Sequence, residues 1–224
     1  MLFPVLGTIL YLNVSEYLKT QSINRSINRS INIGKVYWNI CVLHNAFLVL
    51  FNLYIFKSIV SILSTREWRA MHQYFMADPQ VDRLIFWFYL SKYYEYMDTF
   101  LIYLKGRDPI FLQKYHHIGA VFCWYLCYEY KVDMIIFGTL LNSFVHTIMY
   151  SYYILTLFRL PIRQFRIYLT LLQIIQLVVG GWSGLYFYVP PLETFFNYFI
   201  IGVFNVYIFG LVILFGNFMW HEYC

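Results

Sequence analysis

Apolar stretches too long for the helices of a soluble core alternate along this chain with short polar connections. An α-helix needs roughly 20 residues to cross about 30 Å of hydrocarbon. Six runs have that length: 37–63, 83–104, 109–130, 134–157, 166–189 and 195–219. Between them lie helix breakers such as Asp108-Pro109, Leu160-Pro161 and Pro190-Pro191, and the short turn Lys131-Val132-Asp133. A seventh stretch, 1–18, is interrupted by Asn13 and Glu16. With neither a basic start nor a small-residue cleavage site, it reads better as a short first span than as a removable signal. The pattern predicts an all-α membrane protein of seven transmembrane helices, a single domain over 1–224 with a loop at about 19–35.

Composition agrees. The chain is 61% hydrophobic and 12% charged, about half the charge usual in soluble domains. Its 23 Tyr and 22 Phe suit interfacial belts and, in part, the wall of an internal acyl-binding passage. Cys123 and Cys127 lie four apart on one predicted helix and, with Cys41 and Cys224, read as small buried hydrophobes and not as disulfide or metal partners. Residues 22–32 repeat Ser-Ile-Asn-Arg, the signature of an unpacked loop.

The net charge of +5 is spread in small clusters between apolar runs, so no nucleic-acid surface is expected and the charges speak to topology. Alternate loops carry ten and five basic residues, with Lys92 left inside a span. The richer side holds Lys19, Arg25, Arg29, Lys35, Lys105, Arg107, Lys114, Arg159, Arg163 and Arg166; the poorer holds Lys57, Arg66, Arg69, Arg83 and Lys131. Cytoplasmic loops carry the excess, which places the N-terminus in the lumen and the C-terminus in the cytoplasm. Asn24 and Asn28, both in Asn-Arg-Ser sequons, then face the cytoplasm unused.

Ionisable groups at membrane depth are costly and mark sites by default. Lys92, Glu95 and Thr99 advance along one helical face with Asp98 one step aside. Gln113, Lys114, His116 and His117 open the next run. Asn142, His146, Met149, Tyr150 and Tyr153 share a face of the run after that, and Thr170, Gln173 and Gln176 form a polar stripe further on. Each set has a plainer reading: a buried ion pair pinning two helices, or interhelical hydrogen bonding. Lys105, Arg107 and Lys114 crowd one loop, where phosphate binding and positive-inside bias are both sufficient reasons. His44, His72 and His221 are expected to play no part.

Taken together, Lys92-x-x-Glu95-x-x-Asp98-Thr99, Tyr115-His116-His117, Asn142-x-x-x-His146-x-x-Met149-Tyr150 and Thr170-x-x-Gln173-x-x-Gln176 resemble the motifs of the very-long-chain fatty acid elongases, in that family's order and spacing over about 36–219. The resemblance implies seven helices, six of them forming a barrel around an acyl tunnel with the first outside. It implies condensation of malonyl-CoA with a long-chain acyl-CoA to 3-oxoacyl-CoA, CO2 and CoA in the endoplasmic reticulum membrane, with no further cofactor and no metal. Expected partners are the bilayer, the ketoreductase, dehydratase and enoyl reductase of the cycle, and, where it self-associates, a second copy. The family's box is usually His-x-x-His-His, and Gln113 stands here in place of the first histidine.

A neutral imidazole can accept an acyl group from a thioester, whereas a glutamine amide cannot. The nucleophile is therefore expected at His116, with His117 assisting and with Asn142 and His146 orienting the malonyl thioester. Lys92, Glu95, Asp98, Thr99, Lys105, Arg107, Gln113, Lys114, Met149, Tyr150, Tyr153, Gln173 and Gln176 are the candidate substrate-binding residues. Three other readings stay open. A channel or transporter could use the same buried charges, an inactive relative could serve as a partner subunit, and a di-iron desaturase would need more histidines than the six present.

Overall fold

A computed structural model describes residues 2–25, 31–65, 75–186 and 195–223. Among these every regular element is helical: α1 Leu2–Arg25, α2 Ile31–Thr65, α3 Pro79–Tyr94, α4 Tyr96–Leu104, α5 Phe111–Glu129, α6 Met134–Leu157, α7 Arg166–Tyr186 and α8 Phe195–Tyr223, with a short 3-10 turn at Arg163–Phe165. The weak first stretch is thus a full helix. The run expected at 83–104 is one rod bent at Glu95 into α3 and α4.

The bend is local. Glu95 still donates its N–H to Ser91 O at 2.9 Å, but Asp98 N–H reaches back only three residues, to Glu95 O at 3.1 Å, a tightened turn between two α segments. Elsewhere the ends follow ordinary helix chemistry. Asp78 caps α3, its Oδ1 accepting from Gln80 N–H at 2.7 Å ahead of Pro79 in the first turn. Lys131 and Arg159, with φ of 53° and 58°, take the left-handed conformation that closes α5 and α6.

Among the described residues, four helices are long and apolar enough to cross a membrane: Gly34–Thr65, Met134–Leu157, Arg163–Leu185 and Phe195–Tyr223. The bent rod α3–α4 has two shorter arms, and α5 carries the polar His116-His117 segment. Large apolar side chains point outward, Trp182 at 78% exposure and Val206 at 71% among them. The interior is an aromatic and aliphatic core running through Phe88, Trp124, Ile135 and Phe204.

Helix contacts pass from α2 to α6, then to α7, α8, α5 and α3, with a thinner return from α3 to α2. By contrast, α1 packs on α4 and α5. It sits close, because Gly7 leaves the room that Tyr93 fills: a Cβ there would meet the ring at 2.3 Å. Asp133, in the turn between α5 and α6, accepts the backbone N–H groups of Phe75 and Met76 at 3.3 and 2.9 Å. Two partly exposed ion pairs join neighbouring elements, Lys131 with Asp82 and Arg166 with Glu222. Cys41, Cys123 and Cys127 are buried free thiols, as read from the sequence. Cys224, His72, Arg66, Arg69, Asn28 and Arg29 lie outside the described residues, as do the side chains of Asn24 and Arg25.

Candidate functional site

Around the break at Glu95, one face of α3 and α4 carries charged and polar side chains into the interior. Lys92, Glu95 and Thr99 are all essentially inaccessible. Lys92 Nζ donates to Glu95 Oε1 at 2.7 Å and to Asn142 Oδ1 at 2.8 Å, with the Phe88 ring 4.1 Å away. An ammonium buried so deeply is tolerable only because a carboxylate, an amide oxygen and a ring face replace water. With Asn142 Oδ1 occupied, its NH2 is the polar end left for other partners.

One turn further on, Asp98 holds two partners from different helices: His44 Nε2–H donates to Oδ1 at 2.9 Å, and Tyr150 O–H donates to Oδ2 at 2.7 Å. His44, expected to have no role, therefore belongs to the site. It is 3% exposed, and its Nδ1 is buried without a hydrogen-bond partner. A histidine within an apolar run, on the same face as Tyr37 and Cys41, was the sequence signal for it.

The three expected histidines converge. The His116 ring centroid lies 5.6 Å from that of His117 and 6.1 Å from that of His146. His146 donates Nδ1–H to the Asn142 carbonyl at 2.9 Å, and its Nε2 is 3.7 Å from Glu95 Oε2. That carboxylate oxygen is itself buried without a hydrogen-bond partner. His116 meets a residue not foreseen from sequence: its Nδ1 is 3.0 Å from Tyr207 Oη, while the same hydroxyl donates to the His116 carbonyl at 2.9 Å. Nothing distinguished Tyr207 among so many tyrosines. Glu95, His116 and His146 offer donor atoms within 4.8 Å of one another, a spacing one cation could bridge, yet the Lys92 ammonium beside Glu95 opposes a second positive charge there.

In front of this cluster lies a cavity of about 490 Å³. Basic residues Lys105, Arg107 and Arg166 line it together with His116, His117, His146 and Asn142. His44, Asp98, Gln113, Met149, Tyr150, Tyr153, Gln173 and Gln176 also form its wall. Gln113 donates to Thr99 Oγ1 at 3.4 Å, and Thr99 in turn pairs with Tyr11 of α1 at 3.0 Å. Gln173 reaches Met149 Sδ at 3.3 Å. Lys92, Glu95 and Thr99 stand behind the wall, and Lys114 lies off it with its ammonium 5.7 Å from the Tyr103 ring.

A bundle of helices with outward apolar surfaces and a buried histidine, carboxylate and amide cluster defines a multi-pass membrane protein with a polar interior site. The chain belongs to the GNS1/SUR4 (ELO) family, whose profile matches residues 1–224. It is 31% identical to the very long chain fatty acid elongase 5 of Xenopus tropicalis over 80% of this chain and 63% of that protein. It is 30% identical to the very long chain fatty acid elongase 4 of Homo sapiens over 82% of this chain and 62% of that one. A putative fatty acid elongase of Dictyostelium discoideum is 41% identical over a shorter stretch, 44% of this chain and 33% of the relative. The chain thus spans a little under two thirds of the length of its full-length matches.

Proposed function

We propose that the protein is the condensing enzyme of a fatty acid elongation cycle, a 3-oxoacyl-CoA synthase joining malonyl-CoA to a long-chain acyl-CoA. One observation carries this reading: a single cavity joins cations suited to thioester-borne phosphates to an imidazole cluster suited to acyl transfer. The His116 imidazole attacks the thioester carbonyl carbon, the C–S bond breaks and CoA leaves as thiolate. Malonyl-CoA then loses CO2, and the electron pair of that C–C bond becomes an enolate that attacks the acyl carbon. The C–N bond breaks, releasing 3-oxoacyl-CoA and restoring the imidazole. Decarboxylation makes the carbanion without a strong base, so the site's task is to stabilise the enolate.

The free NH2 of Asn142 suits that oxyanion. His146, whose Nδ1–H is given to the Asn142 carbonyl, orients the malonyl thioester together with Asn142. His117 assists. Lys105 and Arg107 hold phosphate oxygens, and Gln113, Met149, Tyr150, Tyr153, Gln173 and Gln176 shape the wall.

The cyclic order of helix contacts with α1 to one side supports a six-helix barrel around an acyl tunnel. The whole chain then acts as one domain in the endoplasmic reticulum membrane, with the basic mouth cytoplasmic and the other enzymes of the cycle as partners. Purified protein given acyl-CoA alone is expected to release CoA and to carry the acyl mass on His116. Full turnover in His116→Ala with no adduct on the wild type would sink the proposal.

A further inference from the structure

Tyr207 Oη sits 2.9 Å from the His116 carbonyl oxygen and 3.0 Å from His116 Nδ1. Two oxygens at that separation need a hydrogen between them, and only the phenol can supply it. Its single proton is then committed to the carbonyl, so the Nδ1 contact is a hydrogen bond only if the ring nitrogen is the donor. From this geometry we infer that Tyr207 is a positioning residue that holds His116 as the Nδ1–H tautomer and leaves Nε2 as the nucleophilic nitrogen. The inference rests on the acyl-imidazole reading of His116 and names the atom that carries the acyl group.

The packing around the pair is built for close approach. Gly119, one helical turn beyond His116, is the notch that receives the Tyr207 ring, since a Cβ there would lie 2.2 Å from it. On the other helix, Gly210 receives Tyr115, whose hydroxyl would meet a Cβ at 2.4 Å. The two rings stack at 5.7 Å between centroids. Tyr207 is 6% exposed, so its hydroxyl has little competition from solvent for these partners.

The tautomer matters to the balance of the reaction. Attack by Nε2 gives an acylimidazolium whose Nδ1 proton stays in the hydrogen bond to Tyr207, while the departing thiolate takes its proton from solvent. The enolate carries one negative charge and neutralises that cation as the C–N bond breaks. His116 returns to its starting form, and the Nδ1 proton never moves. In the opposite tautomer Nε2 bears hydrogen and has no lone pair to attack with.

Nitrogen-15 NMR of histidine-labelled protein in nanodiscs tests this directly, with the His116 signal identified by its loss in His116→Gln. The wild type is expected to show Nδ1–H at His116. Tyr207→Phe, which keeps the ring, and Gly119→Ala, which keeps the hydroxyl but displaces it, are expected to populate Nε2–H. Acylation by acyl-CoA alone should slow by about tenfold or more in Tyr207→Phe, with KM for acyl-CoA within about twofold, as for other groups that act by fixing a histidine tautomer. An Nε2–H wild-type His116 overturns the inference, as does a Tyr207→Phe enzyme with unchanged tautomer and acylation rate. If the tautomer shifts as expected while no wild-type adduct forms on His116, Tyr207 still sets the tautomer, but the acyl-imidazole reading falls and with it the role of Nε2 as nucleophile.

Discussion

Lys92 shows how much a single side chain contributes to this interior. Its ammonium is bound by Glu95 and Asn142, and removing one partner of a buried ion pair costs about 3–5 kcal/mol because the other charge is left uncompensated. Lys92→Met is therefore expected to lower the thermal midpoint in detergent sharply, whereas Lys92→Met with Glu95→Leu should recover much of the loss. Equal midpoints for the single and double variants would show that the pair is not coupled. His44 acts on Asp98 with Tyr150 as the other donor. Losing one of two hydrogen bonds to a half-buried carboxylate removes up to about 1.5–3 kcal/mol, so His44→Ala should cut condensation by about tenfold while leaving the protein folded by size-exclusion profile. At this scale the motifs were legible because charge inside an apolar run is conspicuous. Tyr207 was not, since a phenol in an aromatic-rich run has the same appearance whether it faces lipid or a buried imidazole.

Among the elements, the apolar runs predicted most boundaries to within a few residues, because length and hydropathy alone decide where a helix can lie in hydrocarbon. The break at Glu95 was hidden, because the spacing from Lys92 to Thr99 fits an unbroken helix equally well and only the tightened turn at Asp98 separates the two cases. The seam between α5 and α8 was hidden too, since a glycine in a sequence does not name the ring that will fill it. Filling either notch should be costly. Gly210→Ala is expected to destabilise by about 1–3 kcal/mol, the usual range for overpacking, read as a lowered thermal midpoint. Gly216→Ala is the control on the same helix, because nothing lies within 4 Å of its added Cβ, and it should leave the midpoint unchanged.

For the whole molecule, composition and loop charge predicted a membrane protein and one orientation, and these follow from solvent alone without knowledge of packing. Which helices touch could not be read the same way, since an apolar face is equally content against lipid or against another helix. Orientation has a direct check. Single cysteines placed at Arg159 and Lys131, on a background with Cys41, Cys123, Cys127 and Cys224 replaced, should be labelled by a membrane-impermeant maleimide from opposite sides of sealed microsomes, Arg159 from the cytoplasmic face. Labelling of both from one side would overturn the proposed topology.

The two tyrosines seated in two glycines, each on the helix opposite its notch, work like a bolt engaged at two points. One such contact would let α5 and α8 pivot; two in opposite directions fix sliding and rotation together, so a shift by one helical turn would drive both rings into side chains. This seam consequently holds α5 and α8 in one register. On the proposed function, room for a long acyl chain would be made across the cavity, along α7, where Thr170, Gln173 and Gln176 line the wall in place of interlocked rings. The reacting nitrogen of His116 would then keep its place while the opposite wall yields.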